Sequence, residues 1–236
     1  MKHTIRLQQG CFAALLFISL ALTACRTVPP AEMPEEPHYI MHTQDEKNTA
    51  YTLHIAYPEF TGMPELNASI RATFADAASE FKAQAQKDQG ALADAGLSGS
   101  EFYVTTEKIY DGESYISVLI SIYCYAGGAH GSTIYSTVTW NNTDNRQETI
   151  CGISGLTLQE LSAYCRDSLT QSLGGGSLSA ERLRWIQDGT EPVESNFSAF
   201  TADGGTVTIY FQQYQVAPYS EGIPEVTLPV VKNNRS

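Results

Sequence analysis

His130 stands in the segment Ala126-Gly127-Gly128-Ala129-His130-Gly131, an imidazole set among residues with little or no side chain. An imidazole in such a place can serve as a general base if a nucleophile and an orienting group come within hydrogen-bond reach. No Ser or Cys near His130 stands in a recognisable nucleophile motif, and Gly152-Ile153-Ser154-Gly155 is not G-x-S-x-G. The glycines suit a different task, because they let the backbone take positive φ or approach another chain closely, as a binding tip must. A metal centre would need His38, His42, His54 and His130 to converge, yet only His38 and His42 are close in sequence and no H-E-x-x-H occurs. P-loop, dinucleotide fingerprint and basic-aromatic nucleic-acid surface are likewise missing from the sequence. The residues thus imply neither cofactor nor metal, and binding is preferred to the two alternatives, hydrolysis by His130 and a structural envelope role with no small ligand.

The cysteines carry a second chemistry. Lys2, His3 and Arg6 precede an uncharged run from Cys11 to Ala24, the layout of a signal peptide and too short to span a bilayer, which takes about 20 apolar residues. Leu22-Thr23-Ala24-Cys25 resembles the bacterial lipobox, so Cys25 is the expected first residue of the mature chain, its thiol carrying diacylglycerol with palmitate-type chains. This implies an extracytoplasmic protein, lipid-anchored to the cell membrane or, since Arg26 rather than Asp follows the lipid Cys, to an outer membrane. Residues 25–37 are rich in Pro and charge and read as an extended tether of about 3 Å per residue. Removal of Lys2 and Arg6 with the signal peptide takes the formal charge from -12 to -14. So acidic a chain repels nucleic acid and steers a basic protein toward itself. Of the remaining cysteines, Cys124, Cys151 and Cys165, two can pair and leave one odd thiol, or all three can stay as buried thiols.

Elements able to position His130 follow from periodicity. Residues 49–60 alternate as a strand with Tyr51, Leu53, Ile55 and Tyr57 on one face, and 64–87 place Leu66, Ile70, Phe74, Ala77, Ala78 and Phe81 at helical spacing. A polar stretch, 88–100, leads to a hairpin of strands 102–110 and 114–125 around Asp111-Gly112, with Ile116, Val118, Ile120, Ile122 and Cys124 on its core face. A third strand, 132–140, completes a meander. Thr157-Leu-Gln-Glu160 is a capping box for a helix with Leu158, Leu161, Cys165 and Leu169, stopped by Gly174-Gly175-Gly176. A short helix with Leu183, Trp185 and Ile186 follows, then two strands around Asp203-Gly204-Gly205, the second spanning 206–214, and a final edge-type strand flanked by prolines. The class is α+β, antiparallel sheets with packed helices.

Three segments together, Tyr123 to Gly131, Leu156 to Leu161 and Phe211 to Gly222, resemble the extracytoplasmic RsiV-like family, which joins a PdaC-like DUF4163 module to a DUF3298 module. The resemblance covers about Thr49 to Val231 and implies a signal peptide at 1–24, a tether at 25–37, the PdaC-like module at 38–145, the DUF3298 module at 146–231 and a tail at 232–236. In that family the name-giving anti-sigma factor binds lysozyme with its extracellular region, and another member carries the region beside a peptidoglycan deacetylase domain. The resemblance therefore implies a recognition module for a lysozyme-like hydrolase or for peptidoglycan. Anti-sigma activity and deacetylation are not carried over, because no segment here corresponds to the sigma-binding part or to the deacetylase metal motif. Candidate contacts are Gly127, Gly128, His130 and Gly131 on one turn, and Tyr214, Pro218, Tyr219 and Gly222 on the other, with Tyr219 as aromatic anchor. Pro218, Tyr219 and Gly222 are equally suited to shaping a turn and packing beneath the sheet.

Overall fold

The computed structural model describes residues 38–174 and 177–229. The expected signal peptide, the expected lipid-bearing Cys25, the expected tether to Pro37, Gly175, Gly176 and the expected tail at 232–236 lie outside the described residues.

Six strands form the first sheet in sequence order: β1 (Tyr39–Lys47), β2 (Tyr51–Phe60), β3 (Ser100–Asp111), β4 (Tyr115–Tyr125), β5 (Ser132–Asn141) and β6 (Arg146–Gln147). Every neighbouring pair is antiparallel except β2 and β3, which run parallel. A parallel pair needs a crossover, and α1 (Pro64–Ala72) and α2 (Ala75–Asp94) supply it. Their apolar faces, Leu66 and Ile70 on α1 and Ala78, Phe81 and Ala85 on α2, close the first core against Leu53, Ile55, Val104, Val118 and Ile120.

The single helix expected over 64–87 is two helices. Thr73 Oγ1 donates to the Ile70 carbonyl at 2.7 Å, a local bond that competes with helical continuation, and Phe74 leaves helical geometry at φ -133° to pack its ring 5.2 Å from that of Tyr57. The second helix continues through Gly90 to Asp94, so part of the expected loop at 88–100 is helical. Alanine, glutamine and leucine around Gly90 offset its cost, about 1 kcal/mol relative to alanine. His42 lies inside β1, and His38 directly precedes that strand. This edge strand leaves Ile40 and Met41 exposed, so it lacks the alternation that marks a buried face.

A second sheet, β7 (Phe200–Ala202), β8 (Thr206–Tyr210) and β9 (Glu225–Pro229), is antiparallel throughout. It encloses the second core with α3 (Ile150–Ser154), α4 (Leu158–Gly174) and α5 (Ala180–Gly189), through Leu161, Cys165, Leu169, Ile186, Val207 and Ile209. The α4 capping box is present: Glu160 Oε2 accepts from Thr157 N at 2.8 Å, and Thr157 Oγ1 accepts from Glu160 N at 3.3 Å. Strand β8 ends at Tyr210, four residues short of the expected limit, because Phe211 onward turns away into a loop. On α5 only Ile186 of the three expected apolar residues is buried.

The two sheets meet where β7 lies on the face of β4 and β5 that points away from α1 and α2. Ser117 Oγ accepts from Ala202 N at 2.9 Å, Thr137 Oγ1 accepts from Phe200 N at 3.0 Å, and Thr139 Oγ1 donates to the Phe200 carbonyl at 3.2 Å. Hydroxyls that look solvent-facing in the sequence are thus buried and paired with backbone. Cys124, Cys151 and Cys165 are all free thiols, so the disulfide alternative is not formed, and burial pushes Cys165 up to about 12.

Strand β1 is clamped near its end by Glu46, whose carboxylate accepts from Lys82 of α2 and from Tyr51 Oη. The Lys82 bond above all, with those of Tyr51 and Gln44, lowers Glu46 from 4.5 to about 2. A depressed carboxylate contributes stability that is complete above its unfolded value and is lost as pH falls toward the folded one. Glu46→Gln should therefore flatten the decline in unfolding midpoint between pH 4.5 and about 2 while leaving its shape near neutrality unchanged. Thermal melts across that range measure it, and an identical acid limb in both proteins would count against the clamp.

Candidate functional site

Strands β4 and β5 are joined by residues 126–131, where Gly127 and Gly128 take φ of 92° and 106°. At Gly131 a Cβ would overlap the ring of Tyr123, so a side chain there requires that ring to shift. The Tyr123 ring in turn stacks on that of Tyr103 on β3, with centroids 5.8 Å apart and planes nearly parallel at 13°. His130 Nδ1 donates to the Gly131 carbonyl at 2.9 Å and its ring faces outward. Among the described residues that is the only hydrogen bond of the imidazole, so no Ser, Thr or Cys side chain is hydrogen-bonded to it.

Over this turn lies the loop from Phe211 to Gly222. Its amide side chains fix it. Gln212 donates Nε2 to the Tyr135 carbonyl at 2.7 Å and accepts from Tyr135 N at 2.9 Å, copying a neighbouring strand on the open edge of β5. Gln213 Oε1 accepts from Thr133 N at 3.0 Å. Gln215 ties the loop inward, donating to the carbonyls of Gly189 and Asn196 at 3.0 Å each and accepting from Gln212 N at 2.9 Å. Trp185 Nε1 donates to the Tyr214 carbonyl at 2.8 Å, which helps to hold Tyr214 at φ 65° with its ring 52% exposed. Val216 and Ala217 are buried beneath, Pro218 leads into one short turn over 219–221, and Gly222 closes it at φ 71° and ψ -132°, a region open to glycine alone.

The structure thus brings the two sets of candidate residues together. Tyr219 stacks on His130 with centroids 4.2 Å apart and 27° between planes, its hydroxyl lies 3.4 Å from the Gly131 carbonyl, and Tyr214 stands 5.8 Å from Tyr219. His130, Tyr214 and Tyr219 form the exposed surface of this cluster. Pro218 and Gly222 shape the turn beneath it. Burial and the nearby Glu101 carboxylate raise the hydroxyls of Tyr103 and Tyr123, which leaves them neutral hydrogen-bonding groups. Gln212, Gln213, Gln215, Trp185, Tyr103 and Tyr123 were not singled out from sequence. The one available signal was the density of glutamine directly after a strand, where an amide can replace a backbone partner.

Elsewhere the histidines are separately engaged: His38 with Asp111 at 3.3 Å, His42 with Glu59 at 3.2 Å and His54 with Asp45 at 2.7 Å. Among the described residues no three His, Cys, Asp or Glu side chains gather where they could hold a metal ion.

Two families match the chain. The one described as Deacetylase PdaC matches residues 44–133, and the Protein of unknown function family DUF3298 matches residues 155–230. The chain carries PdaC and DUF3298 domains. A DUF3298 family protein from Pseudomonas aeruginosa PAO1 is similar in fold, with a TM-score of 0.58 and 15% identity over 81% of this chain and 88% of that one. A DUF3298 family member from Bacteroides fragilis gives a TM-score of 0.54 and 18% identity over the same shares. No curated protein matches the chain.

Gln212→Ala should leave both backbone groups of Tyr135 without their partner, at a cost of about 1–3 kcal/mol for the unpaired donor. Hydrogen exchange is expected to quicken at Thr133, Tyr135 and residues 213–219 while the strands of the first core keep their protection. Unchanged exchange at Tyr135 would show that the loop is held by other means.

Proposed function

We propose that this protein is a lipid-anchored extracytoplasmic recognition module of the cell envelope, which docks a basic, lysozyme-like hydrolase on the face formed by His130, Tyr214 and Tyr219. The observation that carries this reading is the meeting of two turns, distant in sequence, in one exposed aromatic cluster. Aromatic side chains offer large contact area at small entropic cost and attract cations to their faces. The formal charge of -12 adds a long-range field that steers a basic partner.

The position of the cluster in the sheet supports the same reading. His38, the first described residue, lies at the end of the sheet that holds Phe60 and Asp111, whereas the cluster lies beyond Tyr125 and Ser132 at the other end. Along β4 the separation is roughly 35 Å. The chain preceding His38 therefore joins the sheet at the end remote from the cluster, the arrangement an upstream anchor requires if the aromatic face is to meet a partner.

Titration calorimetry of the Cys25→Ser chain against a basic lysozyme and against soluble peptidoglycan fragments tests the proposal. Saturable lysozyme binding is expected, weakening with added salt. Tyr214→Ala and Tyr219→Ala should each cost about 1–2 kcal/mol of binding, roughly tenfold in affinity, with little change in unfolding midpoint. Binding to the glycan fragments alone would replace the partner by peptidoglycan, and saturation by neither ligand would sink the reading.

A further inference from the structure

A concave surface lies at the same end of the first sheet as the aromatic cluster, on the face that α2 covers. Phe81 of α2 packs on Tyr51 and Phe102, with ring centroids at 5.7 and 5.1 Å, and so commits the helix to the β2–β3 side. Strands β4 and β5 run on past the helix. Between helix flank and strands is a cavity of about 570 Å³, within the range of small-ligand sites at roughly 300–1,000 Å³. Its floor is Phe81, Phe102, Ile122, Cys124 and Ile134, and Ile134 is 54% exposed there although it is paired within β5.

The chemistry of this lining is selective. A sugar, a nucleotide or an extended peptide would surrender its hydrogen bonds to water over that floor and regain few. An aliphatic chain surrenders none and gains about 0.8 kcal/mol for each methylene buried. Polar groups stand only along the rim, where Glu80, Gln84 and Lys87 project from α2 and Ser132 opens β5. Glu80 and Lys87 are seven residues apart, about 10 Å along the helix, so the rim has an acidic end and a basic end. The basic end is the one nearer Leu92, the residue that meets the Gly127 turn.

We infer that this cavity binds one acyl chain of a single-chain anionic amphiphile, its tail along Phe81, Ile122 and Ile134 and its head at Lys87. The site is separate from the His130–Tyr219 face and does not depend on the protein partner proposed for it.

The test uses the full chain with Cys25→Ser, so that no acyl group of its own competes, and the fluorescent polyene carboxylate cis-parinarate as probe. Saturable one-to-one fluorescence enhancement is expected. Bound probe should slow alkylation of Cys124 by N-ethylmaleimide, read by peptide mass spectrometry, and leave Cys151 unaffected. Ala77→Trp fills the cavity from an exposed helix position, and should weaken binding about tenfold or more at an unchanged unfolding midpoint. Lys87→Glu should weaken cis-parinarate more than its neutral methyl ester. Absence of saturable binding, full affinity in Ala77→Trp, or undiminished Cys124 alkylation would each overturn the inference. Equal effects of Lys87→Glu on acid and ester would overturn the placement of the head. None of these readouts involves lysozyme or peptidoglycan, so failure here and failure of the recognition reading are told apart.

Discussion

The outward edge of β5 poses a problem that the C-terminal half of the chain is built to solve. On one side β5 pairs with β4 along its whole length, but on the other β6 reaches only Trp140 and Asn141. The N–H and C=O of Tyr135 and the N–H of Thr133 point away from β4 with no strand to receive them. A side-chain amide carries one carbonyl acceptor and an NH₂ donor, the same complement as a peptide group, and Gln212 applies both to Tyr135. Gln213 serves Thr133 from the next position. The edge is satisfied and closed to a foreign strand at those residues. Because the two glutamines immediately precede Tyr214, satisfying the edge also fixes where that ring and Tyr219 go.

The seam between the sheets follows a similar logic. Packing β7 on β4 and β5 buries the backbone N–H groups of Phe200 and Ala202 on a sheet face, where strand pairing on that side is unavailable. Thr137 and Ser117 accept from them, and the Ser117 and Thr139 hydroxyls lie 2.9 Å apart. The result is a polar layer between two apolar cores, one built from residues 50–140 and the other mainly from residues 150–228. Strand β6 at 146–147 still belongs to the first sheet, while Ile150 already belongs to the second core, so the transition is made within a few residues. Glu148, buried in between, accepts from Asn141 Nδ2 at 2.8 Å and pairs with Arg146 at 3.2 Å, which ties β6 and the end of β5 to the start of α3.

Elements with a single dominant physical signal were legible in the sequence. The alternation of Ile116, Val118, Ile120 and Ile122 is the alternation of a core face, and the Thr157–Glu160 box caps α4 as its spacing requires. Strand β1 was not legible, because an edge strand with two exposed apolar residues has no face to advertise. The helix break at Thr73 and Phe74 escaped because helical periodicity continues across it: Phe74 is buried on either account, and only its tertiary contact with Tyr57 decides the backbone. For the site, the two turns could be named, whereas their contact could not, since it depends on hydrogen bonds between residues about 77 to 80 positions apart. Nothing in Gln212 itself distinguishes an edge-capping amide from a solvated one.

Unequal lengths of the layers explain why the aromatic cluster and the cavity beside α2 fall at one end. Strands β3, β4 and β5 have 12, 11 and 10 residues, while β7, β8 and β9 have 3, 5 and 5. A layer of three to five residues cannot cover strands of twice that length, and β7 lies opposite Ser117 and Thr139, toward the hairpin end. The rows beyond it, with Tyr103 and Tyr123, are left for the 211–222 loop to cover only in part. On the opposite face α2 follows β2 and β3, so Ile134 beyond its flank stays uncovered for the same reason. Extending β7 or moving α2 toward β5 would bury these surfaces and stabilise the fold in proportion to the apolar area removed from water. This sequence leaves aromatic rings on one face and aliphatic side chains on the other, both at the end remote from His38, so the two uncovered surfaces differ in chemistry as well as in position.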